Sequence, residues 1–207
     1  WVYPINTLLQ DYTAVPWDHY KNSPKPFCDD FSITIHNGSP SPENNQIAAQ
    51  FTINQGGTLQ NQFSIAGSLL SNGDLNYQPN TTYTSFHNLS SLGSFDTSAG
   101  ANQQVFLVTG QVSAQFPNLD INDTTSFYQS FYNFYSYDDG SAEAAFGPTG
   151  VQSRLAVEFN AYEPDSLVGV AFHFVPSVTD VSNKLFLLSV WSNLNGHPGD
   201  LLYEDEV

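Results

Sequence analysis

Basic residues are nearly missing from this chain. Four Lys and Arg together stand against twenty Asp and Glu, for a formal charge of −16. A surface of that balance repels phosphate backbones and anionic bilayers, which argues against nucleic acid and membrane surfaces as partners. It suits metal ions, neutral glycans and cationic partners. Charge of either sign is scarce, at 12% of residues, against roughly 25% in an average domain. Cysteine occurs once, at Cys28. No disulfide framework exists within the chain, and a nucleophilic role for that thiol would need a placed His. Methionine is absent and the first residue is Trp1, so the chain reads as a processed product or an excised piece. No apolar run approaches the ~18 residues that a membrane-spanning helix needs. The five histidines, His19, His36, His87, His173 and His197, show no HxH or HExxH spacing and read as surface or turn residues. No G-x-S-x-G, phosphate loop or dinucleotide fingerprint occurs. The chain carries no recognisable catalytic set.

What is present is aromatic and arranged in alternation. Hydrophobic residues make up 40% of the 207, with 16 Phe and 11 Tyr, which argues against disorder. Residues 1–26 hold Pro4, Pro16, Pro24 and Pro26 and no sustained period, so they read as an extended lead-in. Trp17 and Tyr20 are placed to staple that lead-in to the first sandwich. From Phe31 the period is two: Phe31, Ile33 and Ile35 are inward, and Asn37-Gly38 supplies a turn. Ile47 to Ile53 repeats the pattern up to Gly56-Gly57, Phe63 to Leu69 repeats it up to Asn72-Gly73, and Tyr77 to Phe86 is a Thr- and Tyr-rich fourth strand. Phe106 to Phe116 is a long strand with Gly110 as a bulge candidate. No window of a dozen residues fits an amphipathic helix. The pattern predicts an all-β chain: antiparallel β-sandwiches, an Ig/fibronectin-like module over 27–120 and a second sandwich over 121–207.

The stretch Tyr135 to Gly147, YSYDDGSAEAAFG, is the pivot. Before it, Phe127 to Tyr137 places aromatics on both faces, as suits a strand bridging two modules. After it come Leu155 to Ala161, Val168 to Phe174, Leu185 to Trp191 and Leu201 to Tyr203. These are about four strands, too few for a closed jelly roll, so the second module reads as incomplete or completed from elsewhere. Asp138, Asp139 and Glu143 place hard oxygen donors around Gly140, which fits Ca²⁺. The competing assignment is a β-turn in which Asp bonds local backbone N–H groups. A glycosidase pair is excluded, because adjacent carboxylates on a strand point to opposite faces. Trp191, Tyr162 and Tyr203 form a candidate sugar-stacking set, although Trp191 also sits in an apolar run that suits a core. Asn37, Asn80, Asn88 and Asn122 head N-x-Ser/Thr triplets in an Asn/Ser/Thr-rich chain.

Read together, NDTTSFYQSFYNFYSYDDGSAEAAFG, RLAVEF, LVGVAFHF, LFLLSVW and HPGDLLYED resemble surface and secreted proteins of the Bacteroidota exported by the type IX secretion system. The resemblance covers roughly Asn122 to Asp205. In that family an Ig-like module leads into a "YDDGSAE" jelly-roll module. It implies a partial jelly roll, an extracellular or outer-membrane-exterior location, and secretion-apparatus or surface proteins as partners. It also implies O-glycosylation motifs at Asp123-Thr124-Thr125 and Asp165-Ser166-Leu167. The expected role is a non-catalytic segment serving adhesion or substrate presentation. The rival expectation is that these are ancillary modules of a large secreted hydrolase.

Overall fold

The computed structural model describes residues 2–4, 8–9, 11–38, 40–44, 47–65, 76–114, 123–138, 150, 153–172 and 185–207. Outside them lie the end of the third expected strand, the polar stretch around Asn122, most of the acidic loop, and His173 with Phe174. The chain divides into two compact units, Trp1–Asp139 and Gly140–Val207. It is an all-β protein whose strands pair antiparallel but for one parallel pair among the described residues, with a single short α-helix among them.

In the first unit the strands are β1 (Val2–Pro4), β2 (Ala14–Pro16), β3 (Phe31–Asn37), β4 (Glu43–Asn44), β5 (Ile47–Gln55), β6 (Thr58–Ile65), β7 (Asn76–Tyr77), β8 (Thr81–His87), β9 (Gln104–Ala114) and β10 (Thr124–Tyr132). A five-stranded sheet runs in the order β2-β10-β9-β5-β6 and a three-stranded sheet in the order β1-β3-β8, while β4 pairs with β7. Period-two alternation made these strands: Phe51 and Ile53 are buried on β5, Phe106 and Val108 on β9, and Gln50 and Gln111 are exposed. The β5–β6 turn is Gly56-Gly57, both at positive φ, as a two-residue hairpin loop requires.

Aromatic rings join the two sheets. Phe31 of β3 meets Phe51 of β5 edge-on at 5.1 Å, and Phe51 stacks on Phe63 of β6 at 5.0 Å. Burying rings of this size dominates the energy of such a core. On β3 the small polar residues are buried as well, and Thr34 is paired through its hydroxyl with Thr84 of β8 at 2.9 Å.

The described residues among the first 26 are built into this unit. β1 pairs with β3, and β2 lies parallel to β10 with Ala14 opposite Ser130. The helix α1 (Trp17–Asn22) comes directly after β2. Trp17 and Tyr20 are fully buried against Phe131, with ring centroids at 5.2 and 4.6 Å. Buried Gln129 fixes the approach, donating from Nε2 to the carbonyls of Tyr12 (3.2 Å) and Thr13 (2.9 Å). Strand β10, expected to bridge two modules, lies in the first unit.

Gly110 is no bulge. It holds a regular ladder position on β9, between Phe51 and Thr125. The irregularity falls instead between Ile53 and Asn54, where β5 pairs with β6.

The second unit is organised on one hairpin, β11 (Leu187–Leu194) and β12 (His197–Glu206). Asn195 and Gly196 both take positive φ, the conformation of a type I′ turn. The register shifts between Val190 and Trp191 and again before Asn193. The alternating stretches at 155–161 and 168–172, expected as strands, form no ladder among the described residues. Alternation selects faces, but a strand also needs a partner edge.

Candidate functional site

The aromatic set splits across two places in the second unit. Trp191 of β11 lies opposite Leu201 of β12, and Tyr203 lies opposite Val190. Trp191 keeps 37% of its surface and Tyr203 is half-exposed, so neither is a core residue. The full burial that the apolar run from Leu185 to Trp191 suggested does not occur: Phe186, Leu188, Ser189 and Val190 are half-buried and Leu185, Leu187 and Trp191 exposed. Tyr162 is partly buried within the extended 153–172 stretch. Tyr203 donates its hydroxyl to Asp205 Oδ2 at 3.2 Å, and this bond to a carboxylate raises the phenol above its ordinary pKa. The ring therefore stands out from the ladder with its polar end tethered.

The surroundings of these rings were missed from sequence. Leu201 and Leu202 on β12 and Leu155, Val157, Phe159, Val168 and Phe172 on the extended stretch are all exposed. Their period-two spacing was visible; their openness was not, because exposure depends on what lies over a strand. Phe172 meets Phe186 edge-on at 5.8 Å, and Asn193 Nδ2 donates to Glu158, so the stretch is tied to both ends of β11.

Only the edge of the acidic loop is described. Asp138 is exposed, and its backbone makes the local turn: Ser136 Oγ donates to its carbonyl at 2.9 Å and accepts from its N–H at 3.1 Å. Thr13 Oγ1 donates to the same carbonyl at 2.6 Å. Asp139 and Glu143 lie outside the described residues. Among the described residues no three of His, Cys, Asp and Glu gather into a metal-binding group.

Other candidates are held by structural tasks. Asn37 donates from Nδ2 to the carbonyls of Ser41, Tyr77 and Gln78, at 3.0 to 3.3 Å. Asn88 Oδ1 accepts from the backbone N–H and hydroxyl of Ser90. Thr124 opens β10 rather than sitting in a loop, while exposed Ser166 donates its N–H to Asp165 Oδ1. His19 Nδ1 lies 2.8 Å from the Tyr135 hydroxyl. A small cleft with Phe27, Phe95 and Phe106 as its floor is rimmed by Gln60, Asn61 and Asp96. The Asp96 carboxylate is taken up by its own turn, accepting from Ser98 N–H and Oγ, which lowers its pKa. Cys28 is buried, and burial pushes its thiol up to about 11, so it is no nucleophile at neutral pH.

No family model, no curated protein and no solved structure matches this chain.

Proposed function

We propose that the chain is a non-catalytic segment of a secreted or cell-surface protein, exported by the type IX secretion system and serving adhesion or ligand presentation. The observation that carries this reading is the open hairpin of the second unit. Trp191, Leu201 and Tyr203 are displayed there on one short ladder, with exposed Leu202 on its other side. Grouped exposed apolar side chains mark contact surfaces in a way that scattered ones do not. Glu204, Asp205 and Glu206 continue the ladder opposite Ser189, Leu188 and Leu187 and bring carboxylates to that end, which favours partners with cationic or neutral polar groups. The resemblance over Asn122 to Asp205 supplies the export route, the extracellular setting and the jelly-roll assignment.

The test has two arms. The purified chain is screened against glycosidase, esterase and peptidase substrates, with no turnover expected. It is also scored for retention on Bacteroidota outer-membrane surface fractions. Retention should fall on Trp191→Ala while the melting curve stays in place. Turnover abolished by a single carboxylate substitution would overturn the proposal, and so would retention indifferent to Trp191.

A further inference from the structure

The five-stranded sheet of the first unit contains no Asp, Glu, Lys, Arg or His in any of its strands. In a chain of net charge −16 that is a local departure, and it includes the side of the sheet turned away from Phe51 and Phe106. Residues opposite one another in a ladder project to the same face. The register therefore sets Gln62, Thr52, Thr109 and Ser126 in one row across four strands. Gln50 and Gln111 stand in the next row, on the side toward Ala48 and Ser113. Gln50, Gln62 and Gln111 are exposed, and Thr52 and Thr109 are half-buried. Rows about 4.8 Å apart between strands and roughly 7 Å apart along them make a grid of amide and hydroxyl groups.

One side of this grid is aromatic. Tyr128 of β10 lies opposite Leu107 on the same face and is 65% exposed. Four residues on, Tyr132 stacks with Phe134 at 5.3 Å and an interplanar angle of 22°, and Phe134 is 49% exposed. These rings face away from the core, which β10 serves through Gln129 and Phe131 on its other side.

We infer that this face is a binding surface for neutral oligosaccharides. Side-chain amides and hydroxyls each both donate and accept, as sugar hydroxyls do, and an exposed tyrosine offers a plane for the C–H face of a pyranose ring. Anionic glycans meet a strongly negative molecule, and cationic ligands find no carboxylate on the strands of this face. A purely apolar ligand would leave the grid's polar groups without partners. Neutral, hydroxyl-rich and ring-shaped is the chemistry that fits. The site lies in a different unit from the Trp191 hairpin and is independent of the reading given there.

The experiment uses the full chain on an array of neutral glucans, mannans, xylans and galactans beside uronate and sulfated oligosaccharides. Affinities for the spots that bind are then measured by titration. Binding confined to neutral glycans is expected. Tyr128→Ala should weaken it by about thirtyfold, as for other stacking anchors. Gln111→Glu, which places a carboxylate in the grid, should weaken it without moving the melting temperature. Phe86→Ala removes an exposed ring from β8, in the other sheet, and should leave binding unchanged. A blank array, binding restricted to anionic glycans, or binding that survives both Tyr128→Ala and Gln111→Glu would overturn the inference. Binding lost with Trp191→Ala but kept with Tyr128→Ala would place the site on the hairpin and overturn it equally.

Discussion

Gly110 of β9 lies directly against Phe51 of β5, its ladder partner, and a β-carbon at Gly110 would overlap the phenyl ring. That ring cannot easily retreat, since it packs edge-on against Phe31 and face-on against Phe63. Gly110→Ala should therefore behave as an overpacking substitution and cost about 1–3 kcal/mol. Urea unfolding measures it. In the Phe51→Leu background the same alanine should cost less, because the clashing atoms are gone, giving a non-additive pair. Equal costs in the two backgrounds would mean that the glycine is needed for some other reason.

The Gly110–Phe51 contact also marks the limit of what the sequence makes legible. Alternation and turn chemistry located β3, β5, β9 and the Gly56-Gly57 loop, because those signals are local. A glycine inside a strand pattern has two local explanations, a bulge or a close approach, and only the neighbouring strand decides between them. The lead-in was opaque for the same reason. β2 is three residues long and its partner β10 begins more than a hundred residues later, so nothing near Ala14 announces the pairing. At the hairpin, Trp191 and Tyr203 were identifiable as aromatic, but their exposure depends on what lies above the ladder.

Trp17 tests whether the lead-in is structural. It is fully buried among Tyr20, Phe106 and Phe131. Trp17→Ala should cost about 3–5 kcal/mol, a large share of a typical domain's stability. Removal of residues 1–26 should leave the first unit without cooperative unfolding. A truncated protein that melts like the full chain would mean that β2 and α1 are only laid on the surface.

Cys28 gives a probe that needs no new ligand. Burial raises its thiol to about 11, with the neighbouring carboxylates of Asp30 and Asp29 adding to the shift. The thiolate is the reactive form. At pH 8 a thiol reagent should label the folded chain far more slowly than the same chain in denaturant, where labelling reaches one equivalent. Rapid native labelling would show that the segment around Cys28 opens locally well below the cost of global unfolding.

Acid sensitivity near neutral pH takes its sign from His87. This residue closes β8 opposite fully buried Phe31. Partial burial lowers its pKa, because an imidazolium there loses hydration. The unfolded chain, with an ordinary value near 6.5, then binds the proton more readily than the folded chain does. Stability must rise with pH across that interval. The His87 contribution is complete above about 6.5 and drains away as the pH falls through the lowered folded value. Asp96, whose carboxyl its bonds from Ser98 hold below the ordinary value, also costs stability on protonation, but only lower down, in the carboxylate range. Only a difference curve isolates the histidine. Wild type and His87→Gln, unfolded in urea at intervals from pH 8 to pH 5, should run parallel above pH 7. Below about 6.5 they should converge or cross, with wild type losing more. Curves that stay parallel to pH 5 would mean that His87 is solvated enough to take its proton without cost.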